Sequence, residues 1–288
     1  MLPGVPNAAI ARQVERAGFD AVYISGAGMA NGTAGVPDIG LLSMTEVVRL
    51  AGYVANAVTI PAIVDADTGF GGAENVARTI CELEKAGLAG CHIEDQEFPK
   101  RCGHLAGKSV IDVDEMTGRI KAAVAARRDD DFMIIARTDA RAVENFDSAV
   151  ERSRRYLKAG ADAIFPEALQ NPDEFKEFAR DVKAPLLANM KVNPFAVPVV
   201  RLQQERHQRV IDTGIYAVVR HPMYSGFVPM VVGPALWLES YVAALLAIVP
   251  IGVLAVRSLF EERFLKRELK GYDAYTEKVR YRLIPFVW

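Results

Sequence analysis

A helix-to-strand pattern that occurs three times constrains the fold of this chain more than any other feature. In each copy a helical segment ends in Ala-Gly and passes into a short apolar run: VERAGFDAVYIS, LEKAGLAGCHIED and LKAGADAIFPE. The glycines, Gly18, Gly87 and Gly160, stand where the end of a helix favours a left-handed residue. The apolar runs are continuous rather than alternating, which is typical of strands covered on both faces in a parallel sheet.

Further apolar runs extend this pattern over the first 190 residues. PAIVDAD (61–67), FMIIART (132–138) and PLLANM (185–190) are separated by amphipathic helical segments such as AENVARTICELEKA, and PGVPN near the start adds one more step. About seven βα steps with right-handed crossovers predict an α/β fold, a TIM-type (β/α) barrel truncated at about seven strands.

Polar residues fall at the carboxyl ends of these predicted strands. In a barrel those ends converge on one mouth, where active sites of this architecture lie. A single strand-end Asp is as well explained by capping the next helix, but nine polar residues together favour a site. They are Ser25, Asp65, Asp67, Glu94, Asp95, Arg137, Asp139, Glu167 and Asn189.

The residue types at this mouth predict a metal and a carboxylate ligand. Asp65, Asp67 and Glu94 carry hard oxygen atoms, which suit an octahedral Mg²⁺ or Mn²⁺ ion that keeps several waters. Such an ion leaves positions open for an oxyacid. Arg137 offers a planar fork that matches a substrate carboxylate.

The segment HIEDQEFPKRCGH (92–104) is either a charged surface loop or part of this site. Cys102 lies between Lys100, Arg101 and His104, and neighbouring cations favour the thiolate. A titratable thiol beside a metal-bound oxyacid predicts a proton donor or acceptor for carbon acid chemistry.

Several motifs resemble one superfamily. YISGAG, GVPDIGLLS, DADTGFGG, HIEDQ, KRCGH, ARTDA, IFPEA and LLANM, in this order within residues 3–190, resemble the isocitrate lyase/phosphoenolpyruvate mutase superfamily, most closely its methylisocitrate lyase branch. In that superfamily KRCGH marks the carbon–carbon lyases. The resemblance implies Mg²⁺-dependent cleavage of 2-methylisocitrate, or a related hydroxy-di/tricarboxylate, to pyruvate and succinate by a cytoplasmic homo-oligomer.

The same resemblance implies roles by position. Cys102 matches the acid that protonates the succinate carbanion, and Tyr23 matches a group that handles the hydroxyl proton. Lys100 and His104 match further catalytic residues that also contact the substrate. The implied metal-site residues are Asp65 and Asp67, with Asp38 and Glu94 acting through water. The implied substrate contacts are Ser25, Gly26, Ala27, Arg137, Glu167 and Asn189.

Composition divides the chain and excludes several classes of protein. Residues 1–190 hold 21 Lys+Arg and 28 Asp+Glu, whereas residues 191–288 hold 13 and 8, which predicts two units. No Lys/Arg run with interleaved aromatics favours nucleic acid, and no secretory signal opens the chain. The odd count of three cysteines argues against a disulfide framework and for a reducing compartment; Cys81 and Cys91 are predicted to be packed.

The second unit, residues 191–288, contains a long apolar stretch. From His221 to Val256 the only formal charge is Glu239. It separates residues 222–238 from 241–256, each near the lower limit for crossing about 30 Å of hydrocarbon. This pattern predicts a two-helix membrane hairpin broken near 238–241, hence membrane association through residues 222–256. The alternative, a continuous core helix, is disfavoured by four prolines.

This unit resembles a second family. GIYAVVRHPMYSG and EERFLKRELKGYDAYTEKVRYRLIP resemble the C-terminal half of isoprenylcysteine carboxyl methyltransferase-like membrane enzymes. The resemblance implies S-adenosylmethionine binding by His221, Tyr224, Glu261 and Glu262, with Arg220 facing a substrate carboxylate.

For the whole chain, the lyase activity implied by residues 3–190 is the main functional prediction. The alternatives are a membrane carboxyl methyltransferase and an inactive fusion of two gene fragments.

Overall fold

The computed structural model describes residues 2–103, 107–187, 210–212, 214–237, 239–285 and 287–288. The chain divides into two compact units, Met1–Asn189 and Met190–Trp288.

Six parallel strands form one sheet in the first unit, and their spatial order follows the chain. A parallel bridge from Ile164 to Leu186 marks the start of the predicted seventh strand. The described residues therefore hold six strands rather than about seven, while the predicted α/β barrel architecture is confirmed. The strands are β1 (Gly4–Val5), β2 (Val22–Ile24), β3 (Ala62–Asp65), β4 (Gly90–Glu94), β5 (Met133–Thr138) and β6 (Ala163–Pro166).

Helices connect successive strands. Side chains of Asn7, Ser43 and Asn171 accept hydrogen bonds from backbone N–H groups in the first turns of three of these helices, which satisfies donors that have no partner inside a helix. The helices are α1 (Ala8–Arg16), α2 (Gly26–Met29), α3 (Met44–Ala55), α4 (Ala73–Lys85), α5 (Val113–Ala126), α6 (Ala140–Val143), α7 (Phe146–Lys158) and α8 (Pro172–Val182), with a π-helical turn at Ala30–Ala34.

The three Ala-Gly motifs end helices as the sequence predicts. Gly18, Gly87 and Gly160 have φ angles of 83°, 87° and 109°, a region that side chains with a Cβ atom rarely occupy. Each glycine turns the chain from a helix into β2, β4 or β6.

Alternation along the strands sorts side chains between two layers. On β3, Ala62 and Val64 join the large core between sheet and helices. Ile63, between them in sequence, belongs to a small separate cluster with Ile135 and Phe165. Side chains two positions apart on a strand lie on the same face, so the residues two positions after the members of this inner cluster, nearer the strand ends, face the predicted site.

The described residues of the second unit are mainly helical. Among them four α-helices follow a short 3₁₀ turn at Gly214–Ala217; the first ends at Trp237 and the second begins at Tyr241, and the apolar pattern predicts a break near 238–241. The helices are α9 (Pro222–Trp237), α10 (Tyr241–Leu246), α11 (Ile248–Glu268) and α12 (Tyr272–Lys278).

One helical stretch of the second unit is long and apolar enough to cross a membrane. Tyr241–Glu268 has a mean hydropathy of 2.3 in its most apolar window, of which 11% is buried. It is the only such stretch in the described part of the chain, because α9 has 16 residues. The structure thus offers one candidate span where the sequence predicts two, and membrane association stays a prediction.

Candidate active site

Strand register brings the predicted site residues together. In the parallel ladder Asp65 is paired with His92, and Glu94 is paired with Arg137. Glu167 follows β6 directly, and its backbone N–H donates to the carbonyl of Thr138 at the end of β5. The carboxyl ends of β3, β4, β5 and β6 thus form one continuous polar edge, as the barrel prediction requires.

An acidic cluster surrounds the Lys100 ammonium. Lys100 Nζ donates to Asp38 and lies 2.7 Å from Asp67 Oδ1, an ion pair without hydrogen-bond geometry. The Asp67 N–H donates to Asp65 Oδ1 over 3.0 Å. Burial disfavours the charged ammonium, but Asp65 and Asp67 outweigh it and raise the pKa of Lys100. Lys100 is therefore a fixed cation beside three of the predicted metal-site residues.

Tyr23 and His92 form a second part of the site, next to Asp65. Tyr23 Oη lies 2.7 Å from His92 Nε2 and 3.5 Å from Asp65 Oδ2. Burial raises the pKa of Tyr23, with Asp65 adding to the effect, and burial lowers the pKa of His92. A neutral phenol therefore meets a neutral imidazole. No role is assigned to His92 from the sequence, although His92 lies two residues before Glu94 and therefore on the same face of β4.

Arg137 is the centre of an ion-pair network. Its guanidinium donates to Asp139 Oδ2 through Nε at 2.9 Å and to Oδ1 through Nη2 at 3.2 Å. Nε lies 3.3 Å from Glu94 Oε2, and Nη2 lies 3.8 Å from Glu167 Oε2. Although burial opposes the charge, Glu94, Asp139 and Glu167 raise the pKa of Arg137. The planar fork predicted for a substrate carboxylate is thus oriented by Asp139.

The segment that carries Cys102 lies between these two clusters. The Gln96 side chain accepts from the N–H of Arg101 and donates to its carbonyl, both over 2.9 Å. On the far side, a Cβ atom at Gly103 would lie 2.6 Å from Arg137 Nη2 and 2.9 Å from Glu167. Lys100 pairs with the acidic cluster, and Gly103 lies against Arg137. Cys102 is therefore located between the residue that contacts the acidic cluster and the residue that contacts Arg137.

The remaining predicted residues have mixed outcomes. Ser25 Oγ accepts from the Gly28 N–H and caps α2, and a Cβ atom at Gly26 would lie 2.7 Å from Asp65 Oδ2. Gly26 therefore borders Asp65, and Ser25 and Ala27 are its neighbours in the chain. His104 and Asn189 lie outside the described residues.

Asp95 supports the site from beneath it. Its carboxylate accepts from Thr138 Oγ1 and Tyr156 Oη, each over 2.8 Å, and from the Asp139 N–H over 2.9 Å. These bonds, and its full burial, make Asp95 a structural residue that joins β4 to β5. It is one strand-end acid that does not face the site.

The acidic cluster fits a hydrated divalent cation. Glu94 Oε1 is buried without a hydrogen-bond donor, and Asp67 Oδ1 is buried with the Lys100 ion pair but no hydrogen bond. Burial, with Asp65 nearby, raises the pKa of Asp67 to about 6, and burial raises the pKa of Glu94; added positive charge would relieve both. Among the described residues no three His, Cys, Asp or Glu side chains are grouped as the ligands of a metal ion.

The cofactor-side residues predicted in the second unit also come together. Glu262 Oε2 accepts from Arg220 Nη1 over 3.0 Å, and Oε1 lies 3.2 Å from His221 Nε2. Tyr224 Oη donates to Glu261 over 2.8 Å and stacks on His221 with ring centroids 5.5 Å apart. Arg220 is therefore oriented by Glu262, and its predicted role of facing a substrate carboxylate stays a prediction.

Known proteins resemble the two parts of the chain separately. A 2-methylisocitrate lyase of Aeropyrum pernix is 56% identical over 188 residues, covering 65% of this chain and 60% of that protein. A 2,3-dimethylmalate lyase of Eubacterium barkeri is 48% identical and covers 65% of each. The chain thus spans less than two thirds of the length of these curated relatives. Residues 198–270 match the phospholipid methyltransferase family model.

A solved structure supports the same relationship. Phosphonopyruvate hydrolase in complex with oxalate and Mg²⁺ superimposes with a TM-score of 0.59 and 36% identity, covering 68% of each chain. The phosphoenolpyruvate phosphomutase family model matches residues 1–217. The barrel, its strand-end acids and these matches show that this chain belongs to the phosphoenolpyruvate phosphomutase family.

Proposed function

We propose that residues 1–190 form a Mg²⁺-dependent carbon–carbon lyase that cleaves 2-methylisocitrate, or a related hydroxy-tricarboxylate, to pyruvate and succinate. One observation carries the proposal: the Lys100–Gly103 segment reaches from the acidic cluster to Arg137, with Cys102 between them. The names of the relatives, 2-methylisocitrate lyase and 2,3-dimethylmalate lyase, support cleavage of a branched hydroxyacid.

The reaction divides among the residues of the site. Arg137 binds a substrate carboxylate. Tyr23 takes the hydroxyl proton, passing its own to His92 over 2.7 Å. The carbon–carbon bond between the hydroxyl-bearing carbon and its neighbour then breaks. The hydroxyl-bearing carbon becomes the keto carbon of pyruvate, and the electron pair of the broken bond stays on the neighbouring carbon, which belongs to succinate. Cys102 donates the proton that completes succinate.

The metal and the remaining contacts belong to the same proposal. A Mg²⁺ ion held by Asp65 and Asp67, with Asp38 and Glu94 acting through water, would supply positive charge to the oxygens of the pyruvate-forming end. Ser25, Gly26, Ala27, Glu167, His104 and Asn189 are the proposed further substrate contacts. Assembly as a homo-oligomer and a cytoplasmic location for this unit stay predictions.

Metal removal tests the proposal on the full chain. We expect pyruvate release from 2-methylisocitrate to stop with EDTA and to return with excess Mg²⁺, because the acidic cluster needs a cation before it can hold an anionic substrate. The measurement couples pyruvate to NADH oxidation by lactate dehydrogenase. Turnover that EDTA leaves unchanged, or a folded chain without turnover in Mg²⁺, would contradict the proposal.

A second candidate function concerns residues 191–288. The cluster of His221, Tyr224, Glu261 and Glu262, together with the phospholipid methyltransferase match, supports an S-adenosylmethionine-dependent membrane methyltransferase. The exposed apolar face of Tyr241–Glu268 supports membrane association. An inactive fusion of two gene fragments predicts neither activity.

Membrane partition tests this second candidate. We expect the full chain to remain in membranes after carbonate washing, and Val249→Lys to release a large fraction. A lysine at the centre of a spanning helix costs roughly 2.5–3.5 kcal/mol, and Val249 is exposed. Lys121→Met, on α5, is the control. The methyltransferase reading further requires S-adenosylmethionine binding in detergent by calorimetry; absence of binding would exclude it.

A further inference from the structure

Lys108 makes two buried contacts that the proposed lyase mechanism does not use. Its Nζ atom donates to the carbonyl of Gly103 over 2.8 Å and to Asp139 Oδ1. The side chains of Lys108 and Asp139 are 3% and 0% exposed. A lysine loses much hydration on burial, so it is buried only where fixed acceptors replace the water.

The two acceptors belong to different parts of the site. Gly103 follows Cys102 directly, so its carbonyl fixes the end of the thiol-bearing segment. Asp139 holds the Arg137 guanidinium by two hydrogen bonds. Although burial opposes ionisation, Arg137 and Lys108 lower the pKa of Asp139. One ammonium therefore connects the backbone beside the thiol to the carboxylate that orients the guanidinium.

The thiol-bearing segment, Lys100–Gly103, is also held in place by contacts other than the Lys108 hydrogen bond. Lys100 is held by the acidic cluster, and the Arg101 backbone is held by Gln96. A Cβ atom at Gly103 would lie 2.6 Å from Arg137 Nη2, so the backbone there has little room to move toward Arg137. Lys108 ties the Gly103 carbonyl to Asp139, the partner of Arg137, and so opposes movement of Gly103 away from Arg137.

We propose that Lys108 is a positioning residue that sets the distance between the Cys102 thiol and the Arg137 guanidinium by tying Gly103 to Asp139. The catalytic part of this inference rests on the proposed lyase function. Its structural part concerns the thiol alone and can be measured without turnover.

Alkylation of Cys102 measures the structural part. In the full-length protein carrying Cys81→Ser, the rate of reaction with iodoacetamide is followed against pH by mass spectrometry of the Cys102 peptide. The limiting rate at high pH reports access to the thiol, whereas the midpoint reports the charge around it. Lys108→Met should raise the limiting rate roughly tenfold, as expected when a hydrogen bond to a charged donor no longer opposes local opening.

Two variants keep the test specific. Lys108→Arg retains a cationic donor and should restore the limiting rate to within twofold of the parent. Lys121→Met removes an exposed lysine of α5 and should change nothing. If Lys108→Met loses its circular dichroism spectrum, Lys108→Gln takes its place. A limiting rate unchanged in the folded variant, or raised equally in Lys108→Arg, would overturn the inference.

Kinetics with 2-methylisocitrate test the catalytic part. Lys108→Met should lower kcat roughly tenfold or more while KM changes less, because the proton donor is displaced and the carboxylate-binding guanidinium stays paired with Asp139. A fall in kcat/KM due to KM alone would contradict the positioning role. If the parent protein shows no turnover, the lyase proposal fails, and the alkylation rates still decide the structural role of Lys108.

Discussion

Replacing Cys102 by serine should lower kcat for pyruvate release by ~10²- to 10⁴-fold, the range that a general acid contributes. A serine hydroxyl occupies nearly the same space but is a far weaker acid than a thiol, so protonation of the succinate carbanion becomes slow. Substrate binding should change little, since Arg137 and the acidic cluster are intact. The measurement is steady-state kcat and KM in Mg²⁺.

Cys81 provides the matched control for this substitution. Its thiol lies on α4, away from the strand ends, and donates to the Ala126 carbonyl over 3.6 Å. Cys81→Ser should therefore keep kcat within about twofold of the parent, because a conservative substitution far from the active site usually has a small effect. Equal losses in Cys81→Ser and Cys102→Ser, or a fully active Cys102→Ser, would rule out Cys102 as the proton donor.

Arg137→Met should destabilise the first unit by about 3–5 kcal/mol, the usual cost of removing one partner from a buried ion pair. The Arg137 side chain is 8% exposed, and its guanidinium lies among Glu94, Asp139 and Glu167. Its removal leaves Asp139 with Lys108 as its remaining ion-pair partner in the described residues. The same change removes the proposed contact with a substrate carboxylate.

Hydrogen exchange resolves this effect within the two-unit chain. Peptides that cover β4 and β5 should lose protection in Arg137→Met, while peptides of α9 and α11 should not. Arg137→Lys keeps the charge but loses the planar fork and should fall between the two. Arg78→Met, which removes an exposed arginine of α4, should leave protection unchanged. Wild-type protection of β5 in Arg137→Met would show that Asp139 and Glu167 do not depend on Arg137.

Strand ends were the most predictable part of the site. Asp65, Glu94, Arg137 and Glu167 could be placed together because parallel strands end at a common edge, and a glycine before each of three strands marks where the strand begins. The same reasoning cannot separate Asp95 from Glu94. Adjacent residues on a strand face opposite sides, and only the observed partners of Asp95 reveal which side it takes.

Contacts across long loops were not predictable. Lys108 pairs with Asp139, 31 residues later, and Lys100 pairs with Asp38, 62 residues earlier. Neither spacing reflects a helical or strand period, so no local pattern encodes these pairs. His92 was predictable in principle from its parity with Glu94. PLLANM (185–190) is predicted as a seventh strand; its described part contributes one bridge, at Leu186, and residues 188–190 lie outside the described residues.

The small apolar cluster of Ile63, Ile135, Ala163 and Phe165 forms a floor beneath the charged groups. Phe165 of this cluster lies under the Arg137 guanidinium, with 5.3 Å from the guanidinium carbon to the ring centroid, and Asp65, Glu94 and Arg137 are themselves almost fully buried. Salt at physiological strength screens exposed charges beyond about 8 Å but reaches buried pairs far less. The internal balance of charge in this site is therefore nearly independent of ionic strength, and added salt acts mainly on the approach of an anionic substrate from solution.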